Sequence, residues 1–284
     1  MKNIFVKLSN LDRRIIYIAL FIVLVLAFFI KPGKLSISKN VKDVYDAIEK
    51  LAEENEKSTR KKIALVVADW DAAVMAECDP QTEAIITHLM KRNIKFAILS
   101  MVPVGPAYAE DVAVRVAKRF KEEYGIEKVY GIDWCNWGYK RAEAAVYRTL
   151  PKDLYAIVQK DIKGTNVKEI PMMKDVESFD DIGVVFHAAG SAMILSWLSY
   201  VRNDIKAPIV AACTGIMSPE YANYWATGQI KGYLGAMIGA AEYEQLLDVY
   251  RKGRRAMAAQ NYGHILIILF IIIGNIGYFL SKKQ

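Results

Sequence analysis

The patterning of these 284 residues specifies a doubly wound α/β domain, with a mostly parallel sheet of about five strands, set between two transmembrane helices. Three observations lead there. Two charge-free apolar runs, Ile15 to Ile30 and Ile265 to Leu280, stand near the two ends, each flanked by basic residues. Between them, short runs rich in Val, Ile and Ala alternate with longer stretches of helical periodicity. The composition, 54% hydrophobic and 24% charged, excludes a disordered chain, and two such runs are too few for a polytopic channel.

Residues 1–14 read as a basic N-terminal segment and 15–30 as the first span. Each apolar run has 16 residues, short of the roughly 20 that cross a bilayer, and neighbouring Tyr, His and Gly residues extend it. A signal peptide would need a small-residue cleavage site, but Ile30-Lys31-Pro32-Gly33 follows the first run. For the second span, 264–280, Gly274, Gly277 and the lysines Lys282 and Lys283 in the tail (281–284) favour a membrane helix over a buried core helix.

Two spans place both termini on one side of the membrane and the middle on the other. Six basic residues mark the termini (Lys2, Lys7, Arg13, Arg14, Lys282 and Lys283). Eight flank the domain: Lys31, Lys34, Lys39, Lys42, Arg251, Lys252, Arg254 and Arg255. That bias points to a cytoplasmic domain. Cys78, Cys135 and Cys213, odd in number and without framework spacing, lean the same way. A signal anchor that keeps its basic side inside puts the domain outside instead.

Within 31–62, Lys31-Pro32-Gly33-Lys34 breaks the helix and Asn40 caps a new one carrying Val41, Val44, Tyr45, Ile48 and Leu51 on one face, an amphipathic stalk or a first domain helix. A charged connector leads to the α/β domain, 63–250. Strands are expected near 63–69, 95–100, 128–133, 182–188 and 208–213, with helices over 81–92, 109–124 and 192–201 between them. Strand–helix–strand order forces parallel pairing through right-handed crossovers. The stretch 134–181 holds two helices and a short edge element around Val167 to Ile170. Ser218-Pro219-Glu220 starts a long helix toward Tyr250, whose Gly228, Gly232, Gly235 and Gly239 fall along one face, unless it breaks near Gly232. A basic segment, 251–263, leads to the second span.

In an open parallel sheet, ligands bind beyond the carboxyl ends of the strands. The residues expected there are Asp69 and Asp71, Ser100, Asp133 and Cys135, Ser191 and Thr214. They supply carboxylates, hydroxyls and a thiol to one crevice. No GxGxxG or GxxxxGK[ST] follows a strand, so no phosphate cradle of those kinds is present. The three histidines, at 88, 187 and 264, share no metal spacing, and His187 within an apolar strand reads as a core residue.

The hydrophobic strand ending Asp69-Trp70-Asp71, followed by a helix and Ala97-Ile98-Leu99-Ser100, resembles the first two motifs of the haloacid dehalogenase-like phosphotransferases. The resemblance implies Asp69 as nucleophile, Asp71 as general acid and base, Ser100 as the phosphoryl-holding hydroxyl, and Mg²⁺ as cofactor. It spans fewer than forty residues. Ala73 stands where that family has Thr or Val, and His187-Ala188-Ala189-Gly190 stands where an acidic pair is expected.

The net charge of +7 needs no nucleic acid, since fourteen of the 38 Lys and Arg are the juxtamembrane ones above, placed to meet lipid headgroups. The sequence thus points to a membrane-anchored α/β scaffold or binding module in a homo-oligomeric or multisubunit membrane assembly. The alternative is a membrane-tethered Mg²⁺-dependent hydrolase or phosphotransferase using Asp69 and Asp71.

Overall fold

A computed structural model describes residues 12–27, 29–30 and 33–281. The basic residues before Asp12, Lys31 and Pro32 of the expected helix break, and the lysine tail lie outside the described residues. The chain divides into two compact units: one joins the segment up to Leu35 with that from Tyr250, and the other is Ser36–Val249.

In the first unit, helix α1 (Arg13–Ala27) packs on a long C-terminal helix (Lys252–Ser281). Gly263 of the long helix lies against α1, where a Cβ would sit 3.2 Å from Leu24 Cδ2, whereas Gly274 has open space around it. The stretch Lys252–Leu280 is long and apolar enough to cross a membrane, and among the described residues it alone is so. Helix α1 has 15 residues, a rise of about 22 Å against the ~30 Å hydrocarbon core. The expectation of two full spans therefore has one helix of sufficient length behind it.

The second unit is built on a six-stranded, wholly parallel sheet in the order β3-β2-β1-β4-β5-β6. Its elements in chain order are α2 (Lys39–Lys57), β1 (Ile63–Asp69), α3 (Met75–Lys91), β2 (Phe96–Ser100), α4 (Gly105–Tyr124), β3 (Trp134–Tyr139), α5 (Ala144–Thr149), α6 (Leu154–Ile157), β4 (Ile182–Ala189), α7 (Ile194–Tyr200), β5 (Ile209–Cys213), α8 (Ser218–Ala226), β6 (Gly232–Gly235) and α9 (Ala236–Leu246). The C-terminal helix of the first unit is α10. Strands β1, β2 and β5 are buried along their whole length, as expected where helices cover both faces. Residues of α2, α3, α4 and α9 pack on one face, those of α5, α6, α7 and α8 on the other.

Helix α2 is a domain helix. Val41, Val44, Ile48 and Leu51 are buried on the sheet, and Leu51 fills the notch left by Gly183, where a Cβ would meet Leu51 Cδ1 at 2.2 Å. Its N-cap is Ser38 rather than Asn40. The Ser38 hydroxyl and amide both donate to Glu242, while Asn40 Nδ2 donates to Tyr233 O at 2.8 Å.

Three expectations are corrected. Strand β3 begins at Trp134, because Asp133 Oδ2 accepts from Val129 N and, with Gly131 at φ +84°, folds 129–133 into a turn. Val167 to Ile170 forms a 3-10 turn capped by Asn166, not an edge strand. The long glycine-striped helix resolves into α8, a sixth strand and α9. Its glycines serve separate ends: a Cβ on Gly232 would lie 2.6 Å from Asn40 O of α2, one on Gly239 would lie 2.8 Å from the backbone of Leu234, and Gly228 has open space and a φ of +69° in the turn after α8.

Candidate functional site

Strand order 3-2-1-4-5-6 reverses between β1 and β4, and the carboxyl ends of those strands are where such sheets take ligands. Asp69 is the last residue of β1, and both its oxygens are engaged. Oδ1 accepts from Met101 N at 2.6 Å and lies 3.2 Å from Ser100 Oγ, while Oδ2 pairs with His187 Nε2 at 3.0 Å. Ser100 Oγ is also 2.7 Å from Ala68 O and accepts from Val102 N at 2.9 Å. Asp69 is 2% exposed, and Ser100 and His187 are fully buried. The cluster therefore locks the ends of β1, β2 and β4 together beneath the surface.

His187 Nδ1 has no hydrogen-bond partner among the described residues, nor do Trp197 Nε1 and Tyr221 OH on the same side of the sheet. The His187 and Trp197 rings lie 5.9 Å apart. Burial raises the Tyr221 hydroxyl pKa well above that of a free phenol, and that of Tyr147 likewise, with the Asp69 charge adding to the latter. These hydroxyls stay protonated donors.

Of the other sequence-derived candidates, Asp71, Ser191 and Thr214 follow the carboxyl ends of β1, β4 and β5, and Asp133 and Cys135 do not lie at that edge. Asp71 is exposed and its Oδ1 accepts from Ala73 N, shaping the loop after β1. Ser191 is exposed in the loop after β4, and Thr214 is buried after β5, where its carbonyl accepts from Met217 N. Asp133 lies at the opposite, amino-terminal end of β3, 3.7 Å from Lys128 Nζ, because the strand starts later than expected. Cys135 falls inside β3, fully buried, and burial raises its thiol pKa strongly. Asp69 and Ser100 are thus brought into contact, and His187, read from sequence as a core residue, is the third member. Among the described residues no group of three or more His, Cys, Asp and Glu side chains could hold a metal ion.

Beside the switch point the loops after β1 and β4 touch. Val74, from the loop after β1, rests on Gly190 after β4 so closely that a Cβ there would be 2.6 Å from Val74 Cγ1. Along the carboxyl edge, Val104 and Ile216 stand in the loops after β2 and β5, 44% and 92% exposed, and Leu195 and Ile238 in the first turns of α7 and α9 are 43% and 42% exposed. Contiguous exposed apolar patches mark interaction sites or ligand grooves.

No family model matches the chain, and no curated protein does. Among solved structures, a chain described as trehalose-6-phosphate synthase, OtsA, is similar over 83% of this chain and 46% of its own, at 12% identity and a TM-score of 0.32. The present chain therefore spans just under half the length of that structure.

Proposed function

We propose that this chain is a membrane-anchored α/β binding module that assembles with further copies of itself through the carboxyl-edge loops. The observation that supports it best is the combination at that edge: Val74 resting on Gly190 beside the switch point, and Ile216 standing almost wholly exposed. The loops after β2, β4 and β5, residues 101–104, 190–193 and 214–217, carry no charged residue, so they can meet their own copies across a two-fold axis without setting like charges against each other. Two membrane segments hold the domain at the cytoplasmic face in this reading. The engaged oxygens of Asp69 favour a structural role for it over attack on phosphorus.

Particle mass in detergent tests the assembly. The parent chain should run as an oligomer, and Ile216→Asp should run as a smaller species with an unchanged melting temperature. A parent that is monomeric, or a variant of the same mass, overturns the reading. Protease added outside sealed right-side-out vesicles should spare the domain, and its digestion there would reverse the sidedness.

A further inference from the structure

At the amino-terminal edge of the sheet, opposite the site described above, a groove of about 750 Å³ runs between the first turn of α2, the starts of β5 and β6, and the turn after α8. It shares Ala207, Pro208 and Lys231 with a hollow of about 390 Å³ under Leu51 and Gly183. Six basic and two acidic side chains line the two together. Three of the cations are paired: Lys39 with Asp43 at 3.0 Å, Lys206 with Asp180 at 3.1 Å, and Lys50 with Glu54 at 3.8 Å.

The other three are not. Among the described residues, Lys62, Arg202 and Lys231 form no ion pair. The Arg202 guanidinium donates only to neutral oxygens, 3.0 Å to both Gln229 O and Gly228 O and 3.5 Å to Asn203 Oδ1. Asp43, the carboxylate lining the larger groove, is shared by Lys39 and, through space, Lys231, so the strip keeps a net positive charge that concentrates anions. The floor is apolar, with Ile205, Ala207, Pro208 and Ile209, and Trp225 forms one wall, its indole N–H held by Asp43 at 2.9 Å. Cations above an apolar floor match a ligand that joins a charged head to carbon.

We propose that this groove binds a phosphate ester. Arg202 and Lys231 would take the phosphate oxygens, and the floor beside Trp225 would take the organic part. Two sources share that chemistry, a soluble phosphate monoester and the headgroup of an anionic lipid. The inference stands apart from the docking reading of the carboxyl edge.

Trp225 supplies the readout. It is half-buried, whereas Trp70, Trp134, Trp137 and Trp197 are buried, so quenching by acrylamide reports chiefly on this groove. The full chain in uncharged detergent would be titrated with glycerol 3-phosphate, with micelles doped with phosphatidylglycerol, and with micelles doped with phosphatidylcholine. Saturable protection by either anionic probe, weakened roughly tenfold in Lys62→Gln/Lys231→Gln and absent from Trp225→Phe, is the expected result. Protection by glycerol 3-phosphate identifies the soluble source, and protection by phosphatidylglycerol alone identifies the lipid. Calorimetry of the same titrations would register binding independently of the indole. No saturable signal by either method, equal response to phosphatidylcholine, or an affinity untouched by the double substitution overturns the proposal.

Discussion

His187 on β4 bonds Asp69 on the neighbouring strand β1, Nε2 to Oδ2 at 3.0 Å, with both side chains sealed from solvent. The register that sets Val67 beside His187 and Asp69 beside Ala189 lets the imidazole reach along the sheet to the carboxylate. The pair lies where β1, β2 and β4 end together, so it acts on the geometry of three loops at once.

Replacing Asp69 with Asn should therefore lower stability. The amide keeps the shape but offers one acceptor oxygen where Met101 N, the Ser100 hydroxyl and His187 converge, and it aims an N–H₂ at one of them. The expected loss is about 2–4 kcal/mol, the scale of charged hydrogen bonds removed from a buried site. Thermal unfolding of the full chain in detergent measures it, and a variant melting with the parent would show that the contacts are dispensable.

A second buried imidazole makes stability depend on pH. His88 stacks on Tyr45 at 4.6 Å between ring centroids, and its ring nitrogens meet Tyr243 OH at 2.7 Å and Glu49 Oε1 at 2.6 Å. Burial pushes its pKa from 6.5 down to about 4, outweighing the pull of Glu49. The native ring is thus neutral, donating from Nε2 to the carboxylate and accepting the tyrosine hydroxyl at Nδ1. The unfolded chain binds this proton more readily, so stability is full above pH 6.5 and falls as the pH drops from 6.5 toward about 4. His88→Gln should flatten that decline in melting temperature between pH 7.5 and about 4.5. Parallel declines for the parent and the variant would refute the assignment.

The cysteines should be inert while the chain is folded. Burial pushes Cys78 and Cys213 up to about 12, and Cys135 higher still, so none offers a thiolate near neutrality. Maleimide at pH 7.5 should label none of the three in the native protein and all of them in denaturant. Rapid native labelling of any one would mean that its surroundings open.

Much of the sheet was legible because β1, β2, β4 and β5 are continuous runs of Val, Ile and Ala, the signature of strands covered on both faces. Strand β3, Trp-Cys-Asn-Trp-Gly-Tyr, has no β-branched residue, and the apolar Val129 to Ile132 beside it drew the strand into what is a turn. Strand β6 has four residues bounded by glycines, too few to show a period. At the candidate site, Asp69 and Ser100 could be placed by their strand ends alone. His187 could not, because its partner is fixed by register across the sheet rather than by any local spacing. The basic groove escaped for the same reason, since its lysines come from α2, the connector before β1, and the approaches to β5 and β6.

The clasp of α2 on β6 carries a cost during synthesis. Asn40 bonds to a carbonyl 193 positions later, so the first helix of the domain leaves the ribosome long before its binding surface exists. Val41, Val44, Ile48 and Leu51 form an apolar stripe whose cover arrives in stages, Gly183 of β4 against Leu51 first and β6 last. The domain closes only when its last strand has been made, so its folding waits on a contact of long sequence separation.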